Sequence, residues 1–263
     1  MLREIKLYGQ LIKINLLAGL EYKGWWLMVL QVLFVTVSEP IAIVMMFNRF
    51  GDIGSWTMER IMLIYAIAVT SFGLAECLFR GFDTFPWNMI RGGNFDRVLL
   101  RPKSLFVQVG ASVFHIHRAA RVVAGLCIIV WALARLDVQV TFFNVIMLIF
   151  ALIGGVLAYA GVFIMSSGIA FFTINALDWI YIFTNASYES IRIPVDYMPR
   201  PLRYMFTFFM PMLVISYFPA SVIGGFGGPV WRGWLALPAG ALFLGGAMLV
   251  WQVGVGRYKS TGS

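Results

Sequence analysis

The sequence predicts an all-α polytopic membrane protein, because it is poor in charge and its apolar residues form long runs. Of its 263 residues, 60% are hydrophobic and only 12% are charged. The mean hydropathy is +0.84. Soluble globular chains carry about 25% charged residues, roughly twice this share. A chain of this composition buries most of its surface in lipid or in other helices.

Six apolar segments are long enough to cross a bilayer. A helix rises about 1.5 Å per residue, so about 20 apolar residues span the hydrocarbon core. The predicted spans are 25–47, 60–79, 119–136, 142–173, 204–223 and 233–256, all within one transmembrane domain over 24–263. The fifth span has an alternative at 172–190, which would leave 193–223 as an element on the outer side.

Residues 1–23 predict an amphipathic helix that lies in the membrane interface before the first span. Apolar residues recur there at helical spacing and cations line the adjacent face, a pattern typical of interfacial helices. Trp25 and Trp26 suit an anchor at the membrane surface. The apolar positions are Leu2, Ile5, Ile12, Leu16 and Leu20.

The distribution of cations predicts that both termini are cytoplasmic. With the first set of spans, sixteen of the 20 Lys and Arg residues fall on the side of the termini and four on the other. With the alternative fifth span the division is thirteen against seven. Cations concentrate in cytoplasmic loops, so both versions give the same orientation. The cations alternate with apolar runs, so the net charge of +8 favours lipid headgroups and not nucleic acid.

The most informative loop is residues 80–103, RGFDTFPWNMIRGGNFDRVLLRPK, which we call the basic segment. It carries five cations against two aspartates. Asp83 or Thr84 can cap a short helix, Pro86 suits its first turn, and the glycines at 92–93 can end it. Phe82, Trp87 and Ile90 would leave apolar surface uncovered. These features predict a short cytoplasmic helix that docks on a partner.

Two carboxylates, Glu39 and Glu76, lie within apolar runs. An ionisable residue inside the membrane is costly, which makes both of them candidates for the substrate path. Pro40 can kink the first span beside Glu39. A structural role, with a hydroxyl or an arginine as partner, is the alternative for Glu39. For Glu76, the spacing of four to Arg80 favours a local ion pair.

Small residues recur on one face of two predicted spans and indicate close helix packing. Gly154, Ala158, Gly161 and Gly168 lie in the fourth span, and the sixth carries Gly240, Ala247 and Gly254. Such faces let neighbouring helices approach closely, either within one bundle or between two subunits. The run from Pro219 to Pro229 should interrupt any helix and form a broken or re-entrant element on the outer side.

The sequence contains no recognisable catalytic constellation. His115 and His117 are its only histidines, and at a spacing of two on a helix they would face different directions. Cys77 and Cys127 lie in apolar runs without metal-ligand spacing. No glycine-rich run ends in Gly-Lys-Ser/Thr, so we expect no ATP hydrolysis by that mechanism in this chain.

The order of these features resembles the type-2 exporter class of ATP-binding-cassette permeases. The stretch from Gly93 to Pro102, Gly-Asn-Phe-Asp-Arg-Val-Leu-Leu-Arg-Pro, is similar to the Gly-Glu-Leu-Asp-Arg-Leu-Leu-Leu-Arg-Pro that follows the family's coupling helix. Here Asn94 stands where the family usually has glutamate. The stretch from Ile193 to Ala220 resembles a proline-marked stretch that ends in Tyr-Phe-Pro-Ala.

The resemblance implies a permease subunit that forms half of a translocation path in the bacterial cytoplasmic (inner) membrane. A second permease, identical or different, would complete the path, and separate ATPase subunits would bind ATP and Mg. This chain itself would hold no cofactor and no metal. The basic segment would be the coupling region that contacts the ATPase, and the residues expected to do so are Phe82, Asp83, Pro86, Trp87, Ile90, Arg91, Asp96, Arg97 and Arg101.

Two other functions are compatible with the residues alone. One is a secondary transporter driven by protons through Glu39. The other is an integral membrane enzyme that processes lipids, although no nucleophile, base and orienting group stand out together. If the chain is a permease, its scarcity of charge within the spans favours an amphipathic or hydrophobic cargo. A path-facing Glu39 would favour a cationic one.

Overall fold

The fold is helical throughout the part of the chain that the structure describes. The computed structural model describes residues 2–21, 23–139, 141–173 and 194–258, and the side chains from residue 7 onward. None of these residues forms a β-strand. The prediction of an all-α protein is confirmed for them.

Eleven α-helices are present in the described residues. They are α1 (Leu2–Glu21), α2 (Trp25–Phe50), α3 (Met58–Phe85), α4 (Phe95–Leu99), α5 (Leu105–Gly110), α6 (Ala119–Arg135), α7 (Phe142–Ala170), α8 (Arg200–Tyr204), α9 (Met212–Ile215), α10 (Tyr217–Ile223) and α11 (Ala236–Arg257). Wider π-helical turns extend α3 over Pro86–Arg91 and α8 over Met205–Phe209. Short 3₁₀ turns cover Ile116–Arg118, Val195–Tyr197 and Val230–Leu235.

Five helices are long and apolar enough to cross a membrane. With their adjoining turns they cover Trp25–Phe50, Met58–Arg91, Ile116–Arg135, Phe142–Ala170 and Val230–Arg257. They match the first four predicted spans and the sixth. We call the side that holds the α2–α3 loop (51–57) the distal side, and the side that holds the basic segment the proximal side.

Helix α3 forms the centre of the bundle. Every residue from Ile61 to Ser71 is buried, because α3 packs on α6 along one face and on α7 along another. Gly125 of α6 lies directly against Thr70, and Gly155 of α7 lies against Ser71. Small side chains therefore set the helix separations around α3.

The small-residue faces of α7 and α11 pack against each other within this chain. A Cβ atom on Gly240 would overlap the carbonyl oxygen of Gly154, and one on Gly254 would lie 2.7 Å from the carbonyl oxygen of Gly168. Of the two interpretations open from the sequence, the structure supports packing inside the bundle.

Helix α2 continues through Pro40 as one helix from Trp25 to Phe50. A proline cannot donate to the carbonyl four residues earlier, which here belongs to Thr36. The buried Tyr65 of α3 supplies the missing donor, since its hydroxyl lies 3.0 Å from the Thr36 oxygen. At the predicted kink site, a side chain of α3 therefore donates the hydrogen bond that the α2 backbone lacks.

The segment predicted as the fifth span, 204–223, is sharply bent and has the form of a broken span or of a re-entrant element. Its two halves, Arg200–Phe209 and Met212–Ile223, meet at an angle of 71°. Both ends approach Trp56 in the distal loop. The Trp56 indole donates to Asp196 at 2.9 Å before the bend, and its ring lies 6.1 Å from that of Phe226 after it. The residues that flank the bent pair therefore both lie on the distal side, which favours a re-entrant element, and we refer to it by that name.

Residues 173 and 194, on either side of the undescribed stretch 174–193, lie near opposite sides of the bundle. Helix α7 ends on the proximal side, where the Phe171 ring lies 5.3 Å from that of Phe95. The chain is next described at Pro194, close to Trp56 on the distal side. The alternative prediction of 172–190 lies almost entirely outside the described residues and stays a prediction.

Helix α1 packs against the proximal end of the bundle. Its Asn15 side chain donates to the Ala111 carbonyl at 2.8 Å, and the Tyr8 hydroxyl donates to the Leu78 carbonyl. Burial against α3 and α5 raises the pKa of Tyr8 to about 12. The predicted N-terminal helix is confirmed, and its position along the membrane interface stays a prediction.

Candidate functional site

The basic segment begins where α3 bends. Phe79 leaves helical geometry, with φ −123° and ψ 16°. Two carbonyls that flank this bend receive side-chain donors from other helices: Leu78 from Tyr8, and Phe82 from the Ser167 hydroxyl at 2.5 Å. Gly81 lies so close to the Val109 carbonyl of α5 that a Cβ atom would overlap it. The end of α3 is therefore held by α1, α5 and α7.

The predicted start of a separate short helix is wrong, whereas its predicted end is confirmed. Helix α3 runs on to Phe85, so neither Asp83 nor Thr84 caps a new helix. Asp83 instead pairs with Arg80 at 2.7 Å. Pro86 opens the π-helical turn, as its fixed φ allows, and the turn ends at the glycine pair, where Gly93 has a φ of +65° that favours glycine.

Phe82 is fully buried, so the expectation that it presents an uncovered face is wrong. Its ring lies 5.2 Å from Trp251 of α11 and 4.7 Å from Phe106 of α5. The sequence spacing did not reveal that α5 and α11 cover this side of α3. Ile90 is half-buried and packs against the same core, which leaves Trp87 as the exposed member of the predicted set.

Phe82 belongs to an aromatic cluster that joins the basic segment to the proximal ends of α7 and α11. Phe85 contacts Phe95 at 5.3 Å, and both contact Phe171 at 5.3 Å. Edge-to-face pairs dominate, the arrangement that aromatic quadrupoles favour. The members of the aromatic cluster are Phe82, Phe85, Phe95, Phe106, Phe171, Trp251 and Tyr258.

A polar contact reinforces this connection. Tyr258, just after α11, hydrogen-bonds through its side chain to Asp96, and its ring lies 4.8 Å from Phe95. Burial raises the pKa of Tyr258, and the hydrogen bond and negative charge of Asp96 raise it further. Asp96 was expected to face a partner. In the structure it also holds the basic segment to the last crossing helix.

The exposed surface of the basic segment combines apolar and cationic side chains. Trp87 is 44% exposed, Leu99 42% and Leu100 85%. The Arg91 guanidinium lies 5.2 Å from the centre of the Trp87 ring, and Arg97 and Arg101 are exposed beside the leucines. We call these six residues the exposed patch. Neither leucine was predicted from the sequence, although an apolar pair between two arginines in a loop indicates an exposed apolar surface.

Glu76 accepts ion pairs from three arginines on the proximal side of the bundle. Its buried carboxylate lies 3.0 Å from Arg80, 3.0 Å from Arg118 and 2.5 Å from Arg121. The ion pair predicted with Arg80 is present. The other two arginines come from the start of α6 and could not be assigned to Glu76 by spacing. These ion pairs offset its negative charge, and contact of Glu76 with a cargo stays a prediction.

The two histidines are neighbours, which corrects the expectation that they face apart. Their rings lie 4.9 Å from each other, because His115 has extended backbone geometry before the turn Ile116–Arg118. Burial lowers the pKa of His115, and the positive charges of Arg118 and Arg80 lower it further. In the part of the chain that the structure describes, no three His, Cys, Asp or Glu residues are grouped to hold a metal ion.

Glu39 lies far from this site along the chain, near the middle of α2. It is half-buried, and it follows Ser38, whose hydroxyl donates back to the Val35 carbonyl. Contact with a cargo by Glu39 stays a prediction.

A comparison with known families identifies the family of this chain. A family model described as "ABC-2 family transporter protein" matches residues 33–262. The chain belongs to the ABC-2 transporter family. The match begins inside α2 and covers the four later crossing helices, the basic segment and the re-entrant element. No curated protein and no solved structure matches the chain. This ABC-2 transporter is a multi-pass membrane protein and a permease.

Proposed function

We propose that this permease is one subunit of an ATP-driven exporter and that its basic segment docks an ATPase subunit. The observation that carries the proposal is the exposed patch: three apolar side chains among three arginines, on a segment fixed to the bundle from behind. Exposed apolar residues with arginines are typical of protein interfaces. The hydrocarbon core of a bilayer would not cover the patch, because three exposed arginines lie among its apolar side chains.

The attachment of the basic segment supports a role in transmitting force. The aromatic cluster connects the segment to α7 and α11, and Ser167 and Tyr258 add hydrogen bonds. A rigid displacement of the exposed patch would therefore move three crossing helices together. Closure of two ATPase subunits would use this connection to shift the permease between inward-facing and outward-facing states.

The same proposal places the basic segment in the cytoplasm and the chain in a bacterial cytoplasmic membrane, where ATP and Mg are bound by the partner. A second permease, identical or not, would complete the translocation path. Glu39 remains the candidate for contact with a cationic cargo. A proton-driven secondary transporter, the alternative from the sequence, would instead need no ATPase and would respond to a pH gradient.

Substitution Trp87→Ala tests the docking role. Truncating an aromatic anchor in an interface costs about 2 kcal/mol or more, so copurification with the ATPase should fall by at least roughly tenfold. Trp231→Ala is the matched control, because Trp231 is also exposed but lies in the distal turn before α11. Equal ATPase retention and transport-coupled hydrolysis in both variants would contradict the proposal.

A further inference from the structure

The buried ionic cluster on the proximal side carries more positive than negative charge. Three guanidinium groups, of Arg80, Arg118 and Arg121, face two carboxylates, those of Glu76 and Asp83. Each arginine reaches Glu76 through a single terminal nitrogen. One positive charge is therefore left over in a setting of low dielectric constant, where an uncompensated charge is unfavourable.

Two of these arginines, Arg80 and Arg118, lie next to each other in the cluster. The Nε atoms of Arg80 and Arg118 are buried and have no hydrogen-bond partner among the described residues. The terminal nitrogens of both side chains lie 3.0 Å from the same Glu76 oxygen, so they are no farther apart than twice that distance. The two guanidinium groups are therefore close enough for one small anion to contact both.

The cluster is open on one side. The side chains of Arg80 and Arg118 are 21% and 22% exposed, whereas that of Glu76 is 2% exposed. Arg118 is the last residue of the short turn that α2 packs against. His115 precedes that turn and His117 lies within it. The exposed parts of both arginines lie near the proximal ends of α3 and α6, where we expect lipid headgroups.

We propose that Arg80 and Arg118 bind one phosphate group and that an anionic phospholipid supplies it. Paired guanidinium groups match the planar, bidentate geometry of phosphate oxygens. A phosphate that contacts the exposed parts of both side chains would neutralise the surplus charge. The acyl chains of the lipid would lie along the apolar faces of α2 and α6. The site is separate from the exposed patch and does not depend on ATPase docking.

Binding of phosphatidylglycerol to the purified permease tests this site, with native mass spectrometry as the readout. The full chain should bind phosphatidylglycerol in preference to phosphatidylcholine. Arg118→Gln removes one fork and leaves Glu76 paired with Arg80 and Arg121, so the affinity for phosphatidylglycerol should fall about tenfold or more. The matched control is Arg135→Gln, at the distal end of the same helix α6.

Further measurements distinguish an anionic lipid from a free phosphate as the ligand. Inorganic phosphate should compete weakly, and full displacement by it at low concentration would mean that a free phosphate is the ligand. Arg118→Lys keeps the charge without the fork and should retain only part of the affinity. Arg118→Lys is also the variant to measure if Arg118→Gln does not fold. An equal affinity for both lipids, or an unchanged preference in both Arg118 variants, would overturn the proposal.

Discussion

At the scale of single residues, the contact between Tyr65 and Thr36 shows how a side chain makes an intramembrane proline tolerable. Tyr65→Phe should leave the Thr36 carbonyl without a protein donor while preserving the ring. A buried carbonyl without a partner costs about 1–3 kcal/mol, and hydrogen bonds between transmembrane helices are worth about 1 kcal/mol. We expect a loss of about 1 kcal/mol in the free energy of unfolding, measured by denaturation in detergent.

Tyr204→Phe is the control for that substitution. Tyr204 is exposed, and its ring stacks on Phe208 at 6.3 Å. Its variant should unfold like the parent. If Tyr65→Phe also unfolds like the parent, then Tyr65 does not satisfy the backbone beside Pro40.

Single residues also show where prediction from the sequence stops. The spacing of four residues was enough to pair Glu76 with Arg80, because both lie on one helix. Arg118 and Arg121 lie about 40 residues away in sequence, so only the folded chain brings them to the same carboxylate. Phe82 and Trp87 look alike as aromatic residues of a short amphipathic stretch. What separates them is the position of α5 and α11, which no local pattern encodes.

At the scale of helices, the backbones of α7 and α11 lie so close together at their glycines that no side chain fits between them. Gly240→Ala should push these helices apart, because its Cβ atom would overlap the Gly154 carbonyl. Overpacking of this kind typically costs about 1–3 kcal/mol. Gly246→Ala, on the same helix α11 with open space around it, is the matched control. Thermal unfolding of both variants should show a lower midpoint for Gly240→Ala alone, and equal midpoints would argue against this close packing.

Long helices were predicted well, and short ones were not. Five apolar runs gave five crossing helices, because hydrophobic length decides whether a segment can span a bilayer. The run over 204–223 is similarly apolar, yet it lies in a helix pair that bends by 71°. Asp196 before it and Phe226 after it both contact Trp56. Hydropathy reports burial in apolar surroundings and does not distinguish lipid from the inside of a bundle.

At the scale of the whole molecule, the re-entrant element fixes which side each loop occupies. In a variant with Cys77 and Cys127 replaced by alanine, a cysteine at Ser55 and one at Tyr197 should both react with an impermeant thiol reagent added to intact cells. A cysteine at Lys103 should react only after permeabilisation. All three positions are exposed in the structure. Labelling of Tyr197→Cys together with Lys103→Cys would contradict the re-entrant assignment.

The proline in α2 also bears on how the chain enters the membrane during synthesis. Helix α2 emerges from the ribosome before α3. Until α3 has been synthesised, Tyr65 cannot donate to the Thr36 carbonyl in the hydrocarbon core. An unsatisfied backbone group there costs several kcal/mol. A hairpin of α2 and α3 that leaves the translocon as one unit removes this cost, and we expect the two helices to insert together.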